Sequence, residues 1–571
     1  MDLPVLVLVV SFVILLLLNV PVAFCMGIST VLAFLTMGDL PVFVAVAHKI
    51  ATGIDSFSLL AIPFFILSGI LMGHGGIARR LIDFANVLVG RFRGGLAFVN
   101  VLTCMLFGAI SGSATAAVSG VGGFMVPIMN KMGYDRDFNA SVTITAATTG
   151  LLIPPSNIMI VYSLATGGIV SIAAIFMAGF LPGILMGLAL MTVAGILAFL
   201  HKYGSDETYK FPEIMIRIIG VILCLVVPGF LFYKRSGFLP EADSLKKLEN
   251  YSQISASTQK LNAAFIWVLL GLLAVMGIGY AVTVWKKNHQ SAKITAGFIG
   301  LLFVPIWFLR GFFYGRFWDI QIYGNLSLAL SFYSLLVIGL IAYYVMKVSS
   351  KGFICFIDAV PSLLLVYIVL GGILKGIFTA TEASAIAVLY AFILAVVIYR
   401  EVKIKNLPKL LLQTGVTTSV VFLLIGTSMA MSWVLASENV PQDISAALLS
   451  TTDNKVILLL LINALLLLVG TFMDMTPAVL IFTPIFLPIV EKLGIHPLQF
   501  GIIIIMNLCI GLCTPPVGTC LFLGCGITNT TVTNVMRHIL PFFAAMVITL
   551  IITTFVPALS MWLPNALGFV K

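Results

Sequence analysis

The chain has 571 residues, 61% of them hydrophobic and 9% charged, whereas soluble domains run at about 45–50% apolar and about 25% charged. That composition excludes a soluble enzyme, and the uninterrupted apolar runs exclude an outer-membrane barrel, whose strands alternate in segments of about ten residues. The net charge of +10 comes from 31 Lys and Arg scattered over short connections; it offers no basic face for nucleic acid and suits loops that orient helices in a lipid bilayer. The chain is therefore expected to be an all-α polytopic membrane protein. At about 20 apolar residues per crossing it could supply more than a dozen spans.

Met1-Asp2-Leu3-Pro4 leads straight into apolar residues without a basic n-region or a small-residue cleavage site, so the first stretch is expected to be a retained span. Spans are expected at about 4–18, 22–37 and 57–73, with an amphipathic stretch near Val42–Ile50 before the third. A basic connection with Arg79, Arg80, Arg91 and Arg93 follows, and a second, with Arg400, Lys403, Lys405 and Lys409, opens the C-terminal half. The positive-inside rule makes both cytoplasmic and puts the N-terminus outside. Between about 205 and 352 lie four more apolar runs, near 215–233, 263–285, 295–314 and 327–346. The expected organisation is thus an N-terminal half at 1–204, an inserted block at 205–352 and a C-terminal half at 353–571.

The two halves are related. At an offset of 361 residues Pro127-Ile128 recurs as Pro488-Ile489, Lys131 as Lys492, Gly133 as Gly494, Gly150-Leu151 as Gly511-Leu512, and Pro154-Pro155 as Pro515-Pro516. The register holds without a gap, which is the construction of many secondary transporters.

Each repeat carries two interruptions that are unusual at membrane depth. The first has Ser111-Gly112-Ser113 and, later, Pro154-Pro155-Ser156-Asn157; the second has Asp474-Met475-Thr476-Pro477 and Thr514-Pro515-Pro516-Val517-Gly518-Thr519. A Pro-Pro pair removes two backbone donors and pushes the preceding residue out of the helical region, so the helix breaks and upstream carbonyls lose partners. One reading is a pair of kinks with small residues for close packing. The other is a midplane site where freed carbonyls and hydroxyls meet a substrate and its coupling ions. Ser113, Ser156, Asn157 and Asp474 are the candidate substrate contacts on that second reading.

Asp474 is the one carboxylate in a strongly apolar stretch; it is either a site residue or the N-cap of the helix that follows. Thr379-Ala380-Thr381-Glu382 fits a capping box, a structural role. The eight cysteines lie mostly in apolar runs and suit packing; the six histidines are dispersed, and none suggests catalysis. Trp433 and Trp562 suit interfacial anchors.

At Ile110-Ser111-Gly112-Ser113, Pro154-Pro155-Ser156, Gly376-Ile377-Phe378-Thr379-Ala380-Thr381-Glu382-Ala383 and Asn507 through Gly518, the sequence resembles the large membrane subunit of the tripartite ATP-independent periplasmic (TRAP) transporters, over about residues 1–204 and 353–569. The resemblance implies a sodium-driven, elevator-type importer of small organic anions, usually carboxylates, in a bacterial inner membrane. It implies two partners: a periplasmic binding protein that delivers the substrate, and a small four-helix membrane subunit, whose place the block at 205–352 either takes or leaves open. It further implies a sodium site of Ser111, Ser113, Gly150 and Pro155 with the Ile153 carbonyl. The repeat then suggests a second, from Gly511, Thr514, Gly518, Thr476 and Thr519, hard oxygen ligands suited to a hard cation. No phosphate loop ending in Gly-Lys-Ser or Gly-Lys-Thr occurs, and the resemblance implies no ATPase. A stand-alone sodium–carboxylate symporter and an ion-translocating membrane enzyme are the competing readings; the missing HExxH, GxSxG and paired intramembrane aspartates argue against an enzyme.

Overall fold

The computed structural model describes residues 3–203 and 350–569, apart from 19, 38–41, 91, 93, 375–376, 452–453 and 516–517. The expected four extra spans at 205–352 lie outside the described residues, except that the first helix of the C-terminal half already begins at Ser350. Among the described residues every regular element is a helix.

In the first half, α1 (Leu3–Leu17), α2 (Val22–Thr36), α3 (Val42–Ile54) and α4 (Ala61–His74) follow the expected apolar runs closely. The first basic connection is not an open loop: Ile77–Val89 forms helix α5, whose Ile77, Ala78, Leu81, Ile82 and Ala85 turn one apolar stripe inward. Its charge obscured an amphipathic helix. Then come α6 (Gly95–Ser111), α7 (Ala114–Lys131), α8 (Arg136–Thr148), α9 (Asn157–Ala165) and α10 (Ile172–Leu200).

The second half contains α11 (Ser350–Leu374), α12 (Ala380–Phe392), α13 (Leu407–Ser437), α14 (Val440–Thr451), α15 (Lys455–Phe472), α16 (Met475–Lys492), α17 (Pro497–Gly511), α18 (Thr519–Thr528), α19 (Val532–Phe555) and α20 (Ala558–Ala566). Among the described residues seven helical stretches are long and apolar enough to cross a membrane: 57–74, 172–200, 380–398, 404–437, 455–472, 475–492 and 532–555. Several apolar runs form shorter helices. α8 has 13 residues, α9 has 9 and α18 has 10, each about 13–20 Å at 1.5 Å per residue.

The expected capping box forms. The Thr379 side chain accepts the Glu382 amide at 3.3 Å, and Glu382 Oε2 accepts the Thr379 amide at 2.7 Å, so two otherwise orphaned donors at the start of α12 are satisfied. Trp433 of α13 stacks its ring on Phe34 of α2 at 5.1 Å, with the Lys49 ammonium of α3 5.1 Å from its centroid.

The two basic connections meet. Arg80 on α5 lies 3.8 Å from Glu401, its guanidinium sits 3.6 Å over the Tyr399 ring, and the Tyr399 hydroxyl donates to the Asp358 carbonyl at 3.2 Å. Nearby on α5, burial pushes the Asp83 carboxyl above its ordinary range, while Arg79 and Arg80 pull it back. Both connections therefore occupy the same end of the helical unit.

Candidate functional site

The first repeat is built on two helices that climb side by side and stop at the same level. Asn100 of α6 donates to the Thr143 hydroxyl of α8 at 2.7 Å, and one further turn-pair up Gly108 meets Gly150 so closely that a Cβ on either would collide with the other's backbone. Glycine is required at this crossing. α6 ends at Gly112, whose φ of 61° reverses the chain and whose amide donates to the Gly108 carbonyl at 2.7 Å. α7 then returns along α6, with Gly120 against Phe107 and Met129 opposite Asn100. This pair is a re-entrant hairpin with Ser111-Gly112-Ser113 at its tip.

α8 loosens into a 3-10 turn at Thr149–Leu151, passes Pro154-Pro155, and resumes as α9. The two interruptions touch. A Cβ on Gly112 would lie 3.0 Å from the Pro155 carbonyl, 3.4 Å from the Asn157 nitrogen and 3.5 Å from the Ser156 Cα. Ser113 caps α7, accepting the Ala116 amide at 3.3 Å and sharing a 3.1 Å hydrogen bond with Thr115. Ser156 stands at the N-cap position of α9 yet caps nothing; its hydroxyl is fully buried, and neither it nor Asn157 Oδ1 has a hydrogen-bond partner. Buried polar atoms of this kind are rare and costly unless something else satisfies them.

The second repeat copies the arrangement. Asn507 of α17 donates to Asn463 of α15 at 2.7 Å, and Gly511 abuts Gly470. α15 ends at Phe472, and Asp474 occupies the N-cap position of α16 without a side-chain capping hydrogen bond; the adjacent Met475 amide is the backbone group it engages. Past Gly511 the Thr514 hydroxyl donates to the Gly511 carbonyl at 2.8 Å, and the Leu521 amide reaches back to the Leu512 carbonyl at 3.3 Å. Gly518 packs against Thr514, and Thr519 opens α18.

The two repeats are inverted. The Tyr162 hydroxyl, beyond the break in α9, donates to the Pro497 carbonyl at the very start of α17 at 2.6 Å. Further along, the Cys509 thiol faces the Thr148 carbonyl and the Cys513 thiol the Ile144 carbonyl, each at 3.7 Å. The broken helices thus run antiparallel, crossing at Thr148 and Cys509. In the first half the Ser111-Gly112-Ser113 tip meets Pro155, Ser156 and Asn157, and in the second Gly511 meets Gly470 and Gly518 meets Thr514; across the halves, Ile144, Thr148, Cys509 and Cys513 carry the contact. Among the described residues no hydrogen bond joins Ser113 to Asp474.

One grouping escaped the sequence reading. Asp135, Asp137 and His538 bring donor atoms within 4.8 Å of one another, and Asp137 accepts a hydrogen bond from Thr530. These exposed and half-buried groups tie the start of α8 to the connection between α18 and α19. They lie some four hundred residues apart in sequence, so spacing gave no signal.

The family model described as the DctM component of the tripartite ATP-independent periplasmic transporters matches residues 9–559. The chain belongs to this family. It is a transporter permease subunit of the TRAP type and not an enzyme. It is 39% identical to YgiK of Salmonella typhimurium, across 98% of this chain and 97% of that protein. The C4-dicarboxylate TRAP transporter large permease protein DctM of Pseudomonas aeruginosa is 32% identical, across 92% of this chain and 90% of its own length. The sialic acid TRAP transporter large permease protein SiaM of Vibrio cholerae is 28% identical, across 96% and 95%.

Proposed function

We infer that this TRAP permease imports a small organic anion with sodium, accepting it from a periplasmic binding protein in a bacterial inner membrane, with its N-terminus in the periplasm. Ser111, Ser113, Gly150, Pro155 and the Ile153 carbonyl hold one sodium ion on this reading. Gly511, Thr514, Gly518, Thr476 and Thr519 hold a second. The anion lies between the two breaks, near Ser156, Asn157 and Asp474, and the repeats carry it across by an elevator motion. Relatives named for C4-dicarboxylate and sialic acid favour a carboxylate substrate.

The observation that carries this reading is the pair of orphaned atoms, Ser156 Oγ and Asn157 Oδ1, buried beside the freed backbone of the first break. They supply oxygen where a hard cation or a polar substrate would need it, and no formal charge. The α4-to-α6 connection and the Arg80 cluster place both basic segments at one end, as a cytoplasmic face requires.

The test is uptake of radiolabelled dicarboxylates and sialic acid into proteoliposomes, with and without the binding protein and the small subunit. Accumulation driven by a sodium gradient and dependent on the binding protein supports the reading. Uptake that persists when potassium replaces sodium under a pH gradient overturns sodium coupling; uptake without any binding protein makes the chain a stand-alone symporter.

A further inference from the structure

A groove of about 270 Å³ opens between α1, the end of α13, the start of α14, and α16. Its walls are apolar, with Phe12, Leu435, Ile481 and Phe482 among them. Its mouth is not: Glu438, the residue after the end of α13, and Asp443, in the first turn of α14, both line it. The crossing 404–437 ends directly before Glu438, so the two carboxylates sit where a membrane-spanning segment emerges and the apolar walls extend from them along the span.

Neither carboxylate has a cationic partner among the described residues. Among the described residues Arg80–Glu401 is the one salt bridge, and it belongs to the opposite end of α13, the end that carries Lys405 and Lys409. An apolar slot on a membrane helix bundle takes up hydrocarbon, and two unpaired carboxylates at its mouth select what is attached to that hydrocarbon. An anionic headgroup would bring like charges together. A primary ammonium supplies three donors to two acceptors and neutralises charge at a partly desolvated position.

We propose that this groove binds one acyl chain of an amine-headed phospholipid, with its ammonium held between Glu438 and Asp443. The occupant would bridge two parts of the protein. α1, α13 and α14 form one side; the other is α16 together with Met473, the residue directly before Asp474. The lipid therefore fills a gap against the α15–α16 hairpin, whose tip carries Asp474. Its binding does not depend on the sodium reading and is measured apart from transport.

The experiment uses the purified full chain, stripped of lipid in detergent. Phosphatidylethanolamine and phosphatidylglycerol with identical acyl chains are titrated in, and bound lipid is counted by native mass spectrometry alongside the unfolding temperature. The ethanolamine lipid is expected to bind with a preference of about fivefold, the scale of one partly exposed ion pair. Glu438→Gln with Asp443→Asn should remove the preference while leaving tail binding. Ile481→Trp should block both lipids by filling the slot. Should that variant fail to match the parent's lipid-free unfolding temperature, Leu435→Phe fills the same slot with a smaller change. Equal binding of the two lipids by the parent, a preference that survives the double variant, or ethanolamine-lipid binding that survives the filled slot would each overturn the proposal. So would a groove covered by a second copy of the chain or by another subunit's helix, seen as lipid binding that appears only after dissociation.

Discussion

Asp474 is the residue at which the competing readings separate most cleanly. It stands where an N-cap stands without the side-chain capping hydrogen bond, so a role at the break and a role at the helix start make different predictions for it. Asp474→Asn keeps the size and capping ability of the side chain while removing the charge. The variant is expected to insert and fold normally, with an unfolding temperature like the parent's, and to lose most or all uptake. Normal uptake would return Asp474 to a structural role. Ser113→Ala and Thr514→Ala each remove one hydroxyl from the two breaks, and the sodium concentration for half-maximal uptake is expected to rise in both. If only the apparent affinity for the anion changes, these hydroxyls belong to the substrate. Asn157→Ala removes one of the two orphaned oxygens. Removing an unpaired buried polar group relieves a cost of about 1–3 kcal/mol, so this variant should be at least as stable as the parent without substrate, and should gain less from addition of the substrate anion.

At the scale of elements, the breaks were legible and their arrangement was not. Proline pairs and glycines act on their own backbone, so the interruptions after Leu152 and Leu512 could be located from sequence. So could the Thr379–Glu382 cap, whose donors and acceptors lie within one turn. The return of α7 along α6, the Gly108–Gly150 contact and the antiparallel α8–α17 pairing depend on residues far apart in the chain. Helix α5 was missed for a different reason: its arginines mark membrane sidedness, and that signal masked the 3.6-residue stripe beneath them. Gly112 joins both kinds of information. Its positive φ demands glycine locally, and its contact with Pro155 demands it from across the hairpin. Gly112→Ala is therefore expected to destabilise the protein by about 1–2 kcal/mol from the left-handed conformation alone, and to widen the gap between the two breaks. A lowered unfolding temperature with uptake lost at all sodium concentrations would match; an unchanged unfolding temperature would not.

For the whole molecule, the antiparallel pairing of α8 and α17 packs the two repeats against each other through Ile144, Thr148, Cys509 and Cys513, and the proposed function takes the groups flanking that contact as one site. Its organisation around residues 205–352 leads to a prediction about assembly. If that block replaces the small membrane subunit, the chain together with its binding protein should support sodium-driven uptake unaided. Failure alone, with rescue by a separately encoded four-helix partner, would rule out a built-in replacement.

The contact between Cys509 and the Thr148 carbonyl also sets a timetable. Those residues are 361 positions apart, and at about 5–20 residues per second of synthesis the second follows the first by roughly 20–70 s. During that interval the first broken helix is in the bilayer without the helix that covers it, its interrupted backbone facing lipid or insertion machinery instead of α17. The first half is thus a dependent of the second, and a chain truncated before α15 is expected to be cleared by membrane proteases where the full chain persists. Comparing the half-lives of the two in pulse-chase labelling would show it.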